Sequence, residues 1–225
     1  SSSSSSRPTY GAATLIGRPA GRSAHTTRRT VTSSEKPLSG LSPTDSTVTV
    51  PAGTMPFSIA VNPVTNRIYV ANGGSNSVTV INGADNSTET VTTPPVPVAL
   101  AVNPVTNKIY VANSDNSSVT IIDGSSLAKV TIPTGTEPRS VAVNPVTNRI
   151  YVGNASSSNV TVIDGSDYTT STVTVGSGPN DIAVNLITNK IYVANFTTND
   201  VTVINGSDNS ATTLAAGARP YAIGV

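Results

Sequence analysis

The chain has 225 residues, with 13 Lys+Arg against 12 Asp+Glu, one His and no Cys. The lack of cysteine excludes a disulfide framework, a Cys-ligated zinc and a thiol nucleophile, and a single His excludes a multi-His metal site within the chain. A formal net charge of +1 offers no whole-chain attraction for nucleic acid, and no apolar run approaches the roughly 18 residues of a membrane-spanning helix.

The composition divides along the chain. Residues 1–44 hold Arg7, Arg18, Arg22, Arg28, Arg29 and Lys36 against Glu35 alone, whereas residues 45–225 hold 7 basic and 11 acidic groups. The first piece opens with six serines and its apolar residues are scattered, without a period of 2 or 3.6. It is too poor in clustered apolar residues to offset chain entropy, so the expectation over 1–44 is a disordered, basic, Ser/Thr-rich tail. It has no apolar stretch beyond Leu15-Ile16 and does not read as a secretory signal.

From residue 45 onward the sequence repeats. Val61-Asn62-Pro63-Val64-Thr65-Asn66-Arg67-Ile68-Tyr69-Val70-Ala71-Asn72 returns nearly unchanged from Val102, Val143 and Val184, each start 41 residues after the last. Pro56, Pro97, Pro138, Pro179 and Pro220 keep the same step, as do Gly83, Gly124, Gly165 and Gly206. Repeats thus begin near 56, 97, 138 and 179, with a fifth begun at 220.

Each repeat reads as four strands. In the first, Ser58–Val61 is a short apolar strand. Asn62–Asn66 is a turn, because Pro fixes φ and Asn tolerates positive φ. Arg67–Ala71 is apolar on both faces, which places it between layers. A Gly/Asn loop leads to a third strand at Ser77–Ile81, Asn82-Gly83 is a turn signal, and Glu89–Thr93 is a more exposed fourth strand. Four short strands per repeat of about 40 residues predict an all-β protein, a β-propeller of four-stranded antiparallel blades. One blade cannot bury both its apolar faces alone, but stacked neighbours bury them mutually. Tyr69, Tyr110, Tyr151 and Tyr192 are expected to pack between blades. Arg67, Lys108, Arg149 and Lys190 are expected to be solvated charges at strand edges.

The tetrapeptides Tyr69-Val70-Ala71-Asn72, Tyr110-Val111-Ala112-Asn113, Tyr151-Val152-Gly153-Asn154 and Tyr192-Val193-Ala194-Asn195 resemble the YVTN-type β-propeller repeat of archaeal surface-layer and bacterial secreted or periplasmic proteins. The third position departs from Thr in every copy, and Leu186-Ile187 replaces Pro-Val in the fourth turn. The resemblance covers about residues 46–225. It implies a seven-bladed ring, an extracellular, cell-surface or periplasmic location, and a binding or structural role. Related seven-bladed propellers include lactonases and a streptogramin lyase, so fold alone does not dismiss an enzyme.

Val48–Val50 aligns with the outermost strand of a blade, and Pro220–Val225 with an innermost one. The count is therefore four complete blades with flanking strands, a fragment of a larger ring. Exposed terminal blade faces would invite self-association.

Near-identical blades supply their own control. Constant columns are explained by packing, and variable ones are free of that demand or serve a ligand. The variable residues lie around the fixed Pro and in the loop after the Tyr strand. In an up-and-down blade both sets fall at one end of the ring, around the mouth of the central channel. The binding candidates there are Phe57, Val98, Glu137, Arg139, Asn180, Asp181, Arg219 and Tyr221. No catalytic residue is assigned, since the repeats hold no His for a Ser-His-Asp arrangement. No metal and no cofactor is expected: Asp85, Asp164, Asp167 and Asp208 read as turn formers, below the ligand density of a calcium loop. Asn-x-Ser/Thr sequons stand at Asn86, Asn116, Asn154, Asn159, Asn195 and Asn205. The expected function is a non-catalytic structural or interaction propeller binding protein or glycan at the variable mouth, without nucleic acid. The alternative is a lactonase- or lyase-like enzyme with its catalytic groups in further blades.

Overall fold

The computed structural model describes residues 48–225, and the expectation of a disordered lead over 1–44 lies outside them. Four antiparallel sheets follow one another, each a simple meander of four strands. The first blade holds β1 (Pro56–Asn62), β2 (Arg67–Asn72), β3 (Ser77–Asn82) and β4 (Thr88–Thr92). The second holds β5 (Pro97–Asn103), β6 (Lys108–Asn113), β7 (Ser118–Asp123) and β8 (Lys129–Pro133). The third holds β9 (Pro138–Asn144), β10 (Arg149–Asn154), β11 (Asn159–Asp164) and β12 (Thr170–Thr174). The fourth holds β13 (Pro179–Asn185), β14 (Lys190–Asn195), β15 (Asp200–Asn205) and β16 (Ala211–Ala215). A single 3-10 turn at Ser114–Asn116 is the one helical element among the described residues.

Registers repeat with the sequence. Tyr69 faces Val80 and Ala60, Tyr110 faces Ile121 and Ala101, and Tyr151 faces Val162 and Ala142. Alternation along each strand sends one set of side chains to the preceding blade and the other to the following blade. At the first junction Tyr69, Val78, Val80 and Val91 meet Leu100, Ile109, Val111 and Ile122 in one buried cluster. The same columns form the second and third junctions. The first three tyrosines are fully buried, as packing between blades requires. Tyr192, on the outward face of the fourth blade, is only half-buried.

That contrast runs through both outer faces. Leu100 is 7% exposed at a junction, while Ile59, in the same column of the first blade, is 65% exposed. On the fourth blade, Leu214 is 55% exposed where Val91 and Val173 are buried. Two sequence expectations need correcting at these faces. Val48–Val50 and Pro220–Val225 do not form strands. A strand needs a hydrogen-bonded neighbour, and neither segment has one among the described residues. The second segment is nonetheless tied to the fourth blade: Asn180 Nδ2 donates to the Tyr221 carbonyl at 2.7 Å, and the Ile223 amide to Asp181 Oδ2 at 2.9 Å.

Asparagine links the blades at the uniform end. Asn62 accepts the Val64 amide through Oδ1, closing its own turn, and donates through Nδ2 to Asn107 of the next blade. Asn103 does the same with Val105 and Asn148, and Asn144 with Val146 and Asn189. The receiving asparagines occupy the left-handed region, with φ 51–52°, which Asn tolerates best among residues with a side chain. The Gly that recurs at this turn is explained here: a Cβ at Gly124 would fall 2.2 Å from Asn107 Oδ1.

The cation column is less uniform than expected. Lys108 pairs with Asp123 at 2.8 Å, and Arg67 donates to the Gly124 carbonyl of the next blade at 2.9 Å. The aspartates at the β3–β4 type of turn act as local acceptors: Asp85 takes Ser87, Asp164 takes Ser166, Asp167 takes Thr169 and Asp208 takes Ser210.

Candidate functional site

The variable end is assembled by backbone bonds between the two loop sets. The Met55 carbonyl accepts from Gly73 N, Val96 from Ser114 N, Glu137 from Ala155 N and Gly178 from Phe196 N, all at 2.9 Å. The residue before the fixed Pro is thereby pinned against the loop that follows the Tyr strand. The position also shares one backbone conformation. Met55, Val96, Glu137, Gly178 and Arg219 all take positive φ, between 52 and 69°. Only Gly adopts this region freely, and a β-branched Val there is strained.

Seven of the eight sequence candidates converge on one cavity of about 550 Å³: Phe57, Val98, Glu137, Arg139, Asn180, Asp181 and Tyr221. Val96, Ser114, Asp115 and Ala222 complete its lining. Arg219 is placed differently. Its guanidinium lies 5.6 Å over the Phe196 ring, which in turn meets Tyr221 edge to face at 6.2 Å. A smaller cleft of about 290 Å³ between the third and fourth blades shares Glu137, Arg139, Asn180 and Tyr221 and adds Ser156, Gly178 and Phe196.

The charges at this end are largely satisfied. Glu137 accepts from Arg139 Nε at 2.9 Å, from Arg139 Nη2, and from the Ser156 hydroxyl. The Ser156 and Arg139 donors hold its carboxyl below the ordinary range. Glu137, just before β9, thus pairs with Arg139 of the same blade. Asp181 accepts the Ile182 amide and, through its other oxygen, the Ile223 amide. Asp115 is exposed in the 3-10 turn.

Phe196 was not among the sequence candidates. Its signal was present, since the same loop position holds Gly73, Ser114 and Ala155 in the other copies. Gly178 was recognisable as variable, but its close approach to the loop after β14 depends on spatial contacts. A Cβ there would fall 2.5 Å from Thr197 Oγ1.

Burial also sorts the sequons. Asn154 and Asn195 are fully buried and donate to Thr161 and Thr202, so the folded chain does not present them. Asn86 and Asn116 are exposed. Among the described residues no group of three or more His, Asp or Glu side chains is placed to hold a metal ion, and no helix is long and apolar enough to cross a membrane.

No family model matches the chain, and no curated protein matches it by sequence. Solved structures do. The chain is similar to Kuenenia stuttgartiensis hydrazine synthase, with TM-score 0.65, 18% identity, and coverage of 78% of this chain and 53% of that one. It is similar to a structure of a nidogen/laminin complex, with TM-score 0.63, 14% identity, and 76% and 68% coverage. A streptogramin B lyase structure follows, with TM-score 0.64, 11% identity, and 72% and 55% coverage. The chain spans between about half and two-thirds of the length of these neighbours. At such identities the likeness is one of fold, and the chain is an array of four β-propeller blades.

Proposed function

We propose that the chain is a non-catalytic interaction propeller of the YVTN type, from a secreted or cell-surface protein, which binds protein or glycan at its variable mouth. One observation carries the reading. The position before the fixed Pro is left-handed in all five copies, yet four of them carry a side chain there. Gly178 demonstrates that the fold accepts glycine at that position. Holding Met, Val, Glu or Arg instead costs on the order of 1–3 kcal/mol at each site, an expense that packing does not explain for the exposed Met55. Strained side chains retained at the end that carries the cavity, two of them, Val96 and Glu137, in its wall, are the pattern of a binding rim. A binding role also suits Glu137, whose carboxylate is held by Arg139 and Ser156 and is not free to shuttle a proton.

The reading is tested by probing a printed glycan array and a protein array with the intact chain and with variants Phe57→Ala, Arg139→Ala and Tyr221→Ala. Hits that each variant weakens support it. An absence of hits on both arrays, or hits indifferent to all three substitutions, overturns it.

A further inference from the structure

We infer that the cleft between the third and fourth blades is a subsite for one neutral pyranose ring. This rests on the mouth being a binding face and specifies what one part of it takes. Three features support the inference.

The first is shape. Gly178, in the cleft wall, brings no side chain where Met55, Val96, Glu137 and Arg219 each bring one. At about 290 Å³ it lies at the small end of ligand pockets, roughly 300–1,000 Å³, and suits a single ring.

The second is the wall. Phe196 and Tyr221 form an edge-to-face pair, 79° between planes. Tyr221 is 70% exposed. One face of the Phe196 ring is taken by Arg219, which leaves the Tyr221 ring as the open apolar platform. An exposed tyrosine offers apolar area with a polar tip, and the axial C–H groups of a pyranose stack on such a surface.

The third is charge. Both ionised groups facing the cleft are already paired, Glu137 with Arg139 and Ser156. An anion would have to compete with Glu137 for Arg139, and a cation with Arg139 for Glu137, each leaving a partner unpaired. What remains open is neutral hydrogen bonding. Asn180 spends an Nδ2 donor on the Tyr221 carbonyl and keeps its Oδ1 as an acceptor, beside the remaining lone pairs of Glu137 and the N–H groups of Arg139. A ligand with C–H groups on one side and several hydroxyls at its edge matches an apolar platform beside neutral and internally compensated polar groups. A pyranose has that form.

The experiment titrates the intact chain with methyl glycosides of glucose, galactose, mannose and N-acetylglucosamine, followed by saturation-transfer NMR and the tyrosine ring resonances. The expected result is saturation by at least one sugar, with a dissociation constant on the order of 1 mM, as a small contact surface allows. Tyr221→Ala and Ala155→Trp, the latter filling the cleft from a half-buried position in its wall, should each weaken it by about tenfold or more. Val64→Ala, in an exposed turn at the uniform end, should leave it within about twofold. Thermal melts check that each variant is folded. Absence of saturation by all four sugars, or saturation indifferent to both Tyr221→Ala and Ala155→Trp, overturns the subsite. Array hits that need Phe57 but ignore Ala155→Trp would overturn the subsite while leaving the mouth as a binding face.

Discussion

Asn62 donates through Nδ2 to Oδ1 of Asn107 at 2.9 Å, joining the turn of one blade to the turn of the next. Asn62 is fully buried, so removing its acceptor orphans a buried amide, a loss of about 1–3 kcal/mol. Asn107→Gly keeps the left-handed backbone and should cost about that amount. Asn107→Ala should cost about 1 kcal/mol more, because Ala is strained at φ 51°. Urea unfolding of the two variants measures both terms, and equal losses would show that backbone strain contributes nothing.

Leu100 and Ile59 occupy one column of the repeat, the first sealed in a junction and the second open. Leu100→Ala should destabilise by about 2–5 kcal/mol through lost transfer and a cavity. Ile59→Ala should stay within about 0.5 kcal/mol. The pair of melts tests whether stability resides in the blade junctions.

Val96 is β-branched at φ 56°. Val96→Gly should raise stability by about 1 kcal/mol, the strain relieved exceeding the chain entropy that Gly adds. A lowered melting temperature would mean that Val96 packs more favourably than its geometry indicates.

The architecture was largely legible in the sequence, and the reasons are specific. The 41-residue step, the Asn-Pro-Val-Thr-Asn turn and the doubly apolar Tyr strand state the blade directly, because period-2 patterning and turn chemistry are local. The link between Asn62 and Asn107 was hidden. Its spacing is 45, so each asparagine reads as a self-contained turn former until the blades are stacked. The strained rim was hidden too, because Met, Val, Glu and Arg carry no signal for positive φ and only Gly178 hinted at it. Arg219 stands at the same end but over Phe196, an aromatic unique to one loop, and that contact needs the blades stacked to be seen. The strands expected at Val48–Val50 and Pro220–Val225 failed because strand formation depends on a neighbour that the local sequence does not supply.

Asp123 and Asp164 occupy a column where the first and fourth blades carry Asn82 and Asn205, and all four accept turn amides. Lys108, then the amides of Ser126 and Ser125, hold the Asp123 carboxyl far below the ordinary range. The Ser166 hydroxyl and amide lower Asp164. A folded-state value below the unfolded one means that the stabilisation is complete above the ordinary carboxylate pKa, about 3.9. It is lost as pH falls through the lowered folded value. Asp123→Asn with Asp164→Asn should therefore flatten the decline of stability below about pH 4. Unfolding followed from neutral to acid pH measures this, and an unchanged slope would assign the acid sensitivity to other groups.

The central claim is that the variable end of the ring binds and the uniform end does not. Val64, Val105 and Val146, all exposed in the repeated turns, supply the control. The most direct measurement is surface plasmon resonance of the strongest array ligand against two triple variants. One carries Phe57→Ala, Arg139→Ala and Tyr221→Ala, and the other Val64→Ala, Val105→Ala and Val146→Ala. The account predicts a loss of about tenfold or more for the first and less than about twofold for the second. Equal losses, or a larger loss from the valine variant, would contradict it.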